Sequence, residues 1–193
     1  MDDETHDRMA LLVLDAQQGF DDPRWGPRNN PECDENIEAL VAHWSGTGRP
    51  LVFVRHDSSE AGSPLQAGTP GNQLKPYLTA EPDLLVSKTV NSAFHGTPDL
   101  DAWLREHDLA GLVVCGITTN HCCETTARVG GNLGHRVLFA IDATHTFDRT
   151  GPDGTTLTAD ELSRATATNL HGEFAEVVRT EELLLSSSSR RST

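Results

Sequence analysis

The sequence predicts an α/β fold, a three-layer α/β/α sandwich on a six-stranded, mostly parallel sheet. Three observations predict it. Short apolar runs rich in Leu, Val and Ile recur along the chain. Stretches with apolar residues at helical spacing separate them. The runs are continuous rather than alternating, as in strands covered on both faces.

The elements follow in order. Ala10–Asp15 (ALLVLD) is an apolar run that ends in a carboxylate. Asp34–Trp44 places Ile37, Leu40, Val41 and Trp44 on one helical face, and Gly46 and Gly48 punctuate its end. Leu51–Arg55 (LVFVR) is a second strand. Asp57–Pro76 is a Gly-, Ser- and Pro-containing loop, long for a connector and so a functional candidate. Asp83–Ser87 (DLLVS) is a third strand. Thr97–His107 reads as a helix, with Thr97 as N-cap and Pro98 at the first helical position. Gly111–Cys115 (GLVVC) is the fourth strand and Thr119–Leu133 the next helix. Arg136–Ile141 (RVLFAI) is the fifth strand, closed by Asp142. Thr158–Leu170 is a helix in which Thr158 and Glu161 form a capping-box pattern. Phe174–Val178 is the last strand. One domain over residues 1–185 is expected, with a loose acidic arm before Met9 and a disordered tail over residues 186–193.

Composition narrows the function. The chain has 193 residues, ample for one full core, and a formal net charge of -14. That charge argues against nucleic acid and anionic membranes, which need clustered cations. No apolar run approaches the roughly 20 residues of a membrane span, and no secretory signal is visible. The four cysteines, Cys33, Cys115, Cys122 and Cys123, show neither a CxxC pair nor zinc-ligand spacing. Free thiols in a reducing cytoplasm are the expected state.

In parallel sheets ligands sit beyond the carboxyl ends of the strands. Three reactive side chains fall there: Asp15 after the first strand, Lys88 after the third and Cys122 at the helix after the fourth. A helix N-terminus and a nearby cation each lower a thiol pKa from about 8.5. An adjacent carboxylate supplies a base, and first-turn amides supply an oxyanion site. Taken singly, each residue also has a structural reading: a small core thiol, a turn carboxylate, a solvated lysine.

The segments LLVLDAQQGF (residues 11–20), SKTVNSAFHGTPDLDAWL (87–104), GITTNHCCETTARVGGNLGHRVLFAIDA (116–143) and FAEVV (174–178) carry more. In this order the chain resembles the isochorismatase-like cysteine hydrolases over nearly its whole length. The resemblance implies a six-stranded parallel sheet and a catalytic triad of Asp15, Lys88 and Cys122. It also implies a cis peptide at Ile117–Thr118 and an oxyanion hole from the Thr118 and Cys122 amides. Cys123 takes a position commonly filled by an apolar residue, so it is expected in the core, on a small-residue face with Ala127 and Gly130.

Within that family, true isochorismatases lack the catalytic cysteine, which this chain keeps. Nicotinamidases usually carry an Asp-x-His metal motif after the second strand. Here His56 and Asp57 are adjacent, so no metal and no other cofactor is expected. Metal-independent hydrolysis of a C–N bond in an amide, ureido compound or lactam is the expected activity. Gln17, Phe20, Trp25, His56, Phe94, Thr119 and His121 are the expected substrate-binding residues. A small, cationic substrate is expected from the acidic field, and a homo-oligomer from the resemblance. Two other classes stand beside the hydrolase: a binding protein that kept the triad by descent, and a redox protein using the Cys122–Cys123 pair.

Overall fold

The computed structural model describes residues 8–185; the acidic start and the serine-rich tail lie outside the described residues. Six strands form one sheet: β1 (Met9–Leu14), β2 (Leu51–His56), β3 (Leu84–Lys88), β4 (Gly111–Ile117), β5 (Arg136–His145) and β8 (Glu176–Val178). Their order is β3-β2-β1-β4-β5-β8. Every neighbouring pair in this sheet is parallel. The helices are α1 (Cys33–Thr47), α2 (Leu100–Glu106), α3 (Glu124–Asn132), α4 (Ala159–Leu170) and α5 (Thr180–Leu185). A small hairpin, β6 (Arg149–Thr150) with β7 (Thr156–Leu157), follows β5.

The strand period of two explains the sandwich. Met9, Leu11 and Val13 of β1 share one core with Ile37, Leu40 and Trp44 of α1 and Leu183 of α5. Ala10, Leu12 and Leu14 point the other way, toward Leu100 and Leu104 of α2, Ala127 of α3 and Leu170 of α4. Both faces of β1 are therefore dry, which is why its sequence is a continuous apolar run. Each fully buried leucine contributes roughly 1.5–3 kcal/mol.

The structure revises several boundaries. The helix expected from Thr97 starts at Leu100. Thr97 is occupied elsewhere: its amide and carbonyl each bond Ser87 at 2.9 Å, extending β3. Asp99 is the actual N-cap, its Oδ1 accepting from the Ala102 amide at 3.0 Å. The fifth strand runs past Ile141 to His145 because an irregularity in the β4–β5 register lets it continue. Asp142, expected to close the strand, instead caps α5, accepting from the Thr180 amide at 2.8 Å. Neither α5 nor the hairpin was anticipated from periodicity. The capping box of α4 is formed in both directions by Thr158 and Glu161.

Strand numbering runs outward from β1 on one side and from β4 on the other, so these two central strands mark a topological switch point, where a crevice opens. They approach closely at Gly116, whose φ is +124°. A Cβ there would lie 2.0 Å from the Leu14 carbonyl oxygen. Gly116→Ala should therefore destabilise the protein by about 3 kcal/mol or more, measured by urea denaturation. A loss under about 1 kcal/mol would mean that the two strands separate easily at this point.

Candidate active site

β1, β2, β3 and β4 all end at one edge, and each delivers a group there. Asp15 follows β1 with φ +49°, a left-handed conformation that aspartate tolerates better than most residues. Its amide donates to the Val54 carbonyl at 2.9 Å, so the turn is tied to β2. His56 and Lys88 are the last residues of β2 and β3 and are paired in register. Beyond β4, a single π-helical turn (Thr119–Cys123) precedes α3 and carries Cys122. The sequence reading merged that turn with α3. The amides of His121 and Cys123 both donate to the Thr118 carbonyl at 3.2 Å. The Ile117–Thr118 peptide bond is cis.

Lys88 lies at the centre. Its Nζ is 2.7 Å from Asp15 Oδ2, 3.2 Å from His56 Nδ1 and 3.4 Å from Cys122 Sγ. The Asp15 and Lys88 side chains are both fully buried. Burial works against the Lys88 charge, yet Asp15 and Cys122 outweigh it and hold the Lys88 pKa above its usual value. Burial lowers the His56 pKa, and the Lys88 charge lowers it further. Burial raises the Cys122 pKa, Asp15 raises it again, and Lys88 only partly opposes them. The balance of these contacts favours the neutral thiol at rest. Burial and the Asp15 charge thus work against the thiol activation expected from a helix N-terminus and Lys88. Asp15 Oδ1 is buried with no hydrogen-bond partner among the described residues, which leaves that oxygen a free lone pair.

Asp15, His56 and Cys122 also bring three metal-type donor atoms within 4.8 Å of one another. All three are already in contact with the Lys88 ammonium. A cation thus already contacts all three members of this donor set.

A cavity of about 310 Å³ opens onto Asp15, His56, Thr118 and Cys122. Phe20, Trp25 and Phe147 form an aromatic wall, with ring centroids 5.5–6.4 Å apart. Arg24, Asp148, Arg149 and His121 stand around it. Asn91 also faces the thiol, 3.9 Å from Sγ. Of the expected pocket residues, Phe20, Trp25, His56 and His121 line the cavity.

Three do not. Gln17 is fully buried; its Oε1 accepts from the His56 amide at 2.9 Å and its Nε2 donates to the His56 and Asn72 carbonyls. It fixes the end of β2 rather than touching a ligand. Phe94 stacks on His135, 5.7 Å away, and packs over Gly130 of α3. Thr119 is buried and donates to Thr144 Oγ1 at 2.9 Å. Asn120, expected as an N-cap, accepts instead from Thr146 Oγ1. Cys123 is fully buried among the α2–α4 core residues with Ala127. All four cysteines are free, so Cys122 and Cys123 are not bridged. Residues 146–149 were missed, since the reading stopped β5 at Ile141. Applying the strand-end rule to the polar-aromatic run THTFDR (144–149) was the available signal.

Comparisons with known proteins agree with this architecture. A putative isochorismatase-family hydrolase from Chromobacterium violaceum is similar in structure, with a TM-score of 0.88 and 40% identity over 93% of each chain. Nicotinamidase 3 of Arabidopsis thaliana is 30% identical over 90% of this chain and 86% of its own. Streptothricin hydrolase of Streptomyces noursei is 32% identical over 88% of this chain and 67% of its own. The isochorismatase domain model matches residues 9–182, from the first strand into the last helix, and on that span the chain belongs to the isochorismatase family.

Proposed function

We propose that this chain is a metal-independent cysteine hydrolase that cleaves a C–N bond of a small amide, ureido compound or lactam through a thioester on Cys122. The observation that carries this reading is the single buried ammonium in contact with an acid, a thiol and an imidazole at the floor of the cavity. The relatives named as a nicotinamidase and a streptothricin hydrolase support hydrolysis as the reaction class.

The steps follow from the electrostatics. A neutral thiol is a poor nucleophile, so proton removal must accompany attack. Asp15 takes the Cys122 proton as Sγ bonds to the substrate carbonyl carbon. The Thr118 and Cys122 amides receive the oxyanion. Asp15 then passes the proton to the departing nitrogen, the C–N bond breaks, and an acyl thioester remains. Asp15 next removes a proton from water. The resulting hydroxide attacks the thioester, and Cys122 recovers its proton as the acid leaves. Lys88 stays charged throughout and holds the Asp15 carboxylate in place at 2.7 Å.

The cavity weighs against the cationic substrate expected from net charge. Lys88 neutralises Asp15, Arg24 is paired with Asp22 at 3.1 Å, and Arg149 stands against Asp148 on the rim, so the lining carries no excess of negative charge. With the wall of Phe20, Trp25 and Phe147, this balanced lining suits a neutral amide with a planar or apolar body. The same reading keeps the chain as a homo-oligomer in a reducing cytoplasm; its four free cysteines are compatible with that compartment. Among the described residues, no helix is long and apolar enough to cross a membrane.

Turnover of a panel of cationic, neutral and anionic amides tests the proposal. Cys122→Ser should lower kcat by about 10³-fold or more, and intact-mass spectrometry of quenched wild type should show an acyl adduct on Cys122. Turnover unaffected by Cys122→Ser would remove the thioester mechanism. Absence of any turnover beside tight binding of a small amide would favour the binding-protein reading.

The electrostatics make a second prediction. Asp15 raises the thiol pKa and Lys88 lowers it. In iodoacetamide rate-versus-pH profiles, Asp15→Asn should shift the Cys122 inflection downward and Lys88→Met upward, while both variants lose activity. An upward shift in Asp15→Asn would mean that the carboxylate does not act on the thiol as described.

A further inference from the structure

We infer that His56 both positions Lys88 and reads the substrate: its Nδ1 anchors the ammonium, and its Nε2–H donates to a hydrogen-bond acceptor adjoining the scissile amide. This rests on the hydrolase reading above and deepens it by naming a feature the substrate must carry.

An ammonium has three N–H donors and no lone pair. The three from Lys88 have three partners: Asp15 Oδ2, His56 Nδ1 and Cys122 Sγ. His56 Nδ1 can meet an ammonium only as an acceptor, so it carries no proton. In the neutral ring the proton is then on Nε2. The remaining bonds of His56 are made by its backbone. Its amide donates to Gln17 Oε1, and its carbonyl accepts from Gln17 Nε2 and Asn72 Nδ2. That clamp fixes where the ring stands. Nε2–H has no partner among the described residues, and the half-buried ring lines the cavity with Asp15 and Cys122.

A fixed donor on a cavity wall selects a ligand that presents an acceptor to it. The class indicated is an amide with a second carbonyl, ring nitrogen or carboxylate oxygen next to the scissile group. Ureido acids and dicarbonyl amides have one; simple alkyl amides do not.

The charged and titratable groups facing the ring are Lys88 from β3, Asp15 after β1, Asp57 beyond β2 and Cys122 from the π turn. A second proton on the ring would go to Nδ1 and set an N–H against the Lys88 ammonium. Activity needs the neutral ring, so it falls as pH drops through the His56 pKa. Burial and Lys88 hold that pKa below the usual histidine value.

Two readouts test the inference. Without substrate, ¹⁵N NMR of the ring, assigned by the signal lost in His56→Asn, should show protonation at Nε2 alone at about pH 7. A ring protonated at Nδ1, or doubly protonated there, overturns the inference whatever the enzyme hydrolyses. With substrate, wild type should prefer an acceptor-bearing amide over its alkyl isostere by about tenfold in kcat/KM. His56→Asn keeps an acceptor within reach of Lys88 but has no donor at the Nε2 position; it should erase that preference and flatten the acid limb of the pH profile. His56→Gln reverses the two properties; it should keep the preference and lower kcat on both amides. A preference or an acid limb unchanged in His56→Asn overturns the substrate-reading role. No turnover of either amide by wild type defeats the hydrolase reading, and the substrate role with it, while the NMR result still decides the tautomer.

Discussion

The buried Asp15–Lys88 ion pair is the constraint on which the site depends. Two charges taken out of water carry a large desolvation penalty, recovered only when geometry is good and further partners are present. Here the pair closes at 2.7 Å, and the remaining donors of the ammonium reach a thiol and an imidazole. Removing one member of such a pair strands the other, at about 3–5 kcal/mol. The pair is therefore held by the same packing that holds the sheet: Asp15 is tied to Val54 on β2, and Lys88 is paired in register with His56.

From this pair the chemistry acquires its order. In the proposed mechanism the carboxylate beside this buried cation serves as the base. A thiol held neutral by burial and by that carboxylate waits for its substrate. In that mechanism charge moves from Asp15 to sulfur only when a carbonyl is present to receive the electrons. The ammonium also accounts for the donor set that looks suited to a metal, since it already contacts every member.

Much of the surrounding structure serves to present these groups. Gln17 and Asn72 clamp the backbone of His56, and Asn72 also bonds Asp57 and Leu65, which draws the long loop after β2 against the site. Leu65 of that loop lines the cavity. On the other side, the extension of β5 carries Phe147 and Arg149 to the cavity rim. The long loop and the strand extension thus form two walls of the cavity above a floor of Asp15, His56 and Cys122.

The sequence by itself determined the strand-helix alternation, the parallel two-sided sheet and the three groups at the strand ends, because hydrophobic periodicity and chain connectivity are local signals. The family resemblance carried by its motifs made Cys122, rather than Cys123, the expected nucleophile. The tertiary structure decided which side chains face the cavity. Gln17 lies beside a predicted catalytic residue, yet its carboxamide is consumed by the end of β2, a partner 39 positions away. Phe94 and Thr119 are taken by His135 and Thr144, and Thr97 by Ser87. The thiol pKa was also decided there, since burial and the Asp15 charge depend on contacts that spacing does not encode. Long-range hydrogen bonds and desolvation arise only when distant segments meet, and for that reason the chemistry of this site was legible as residues but not as an electrostatic arrangement.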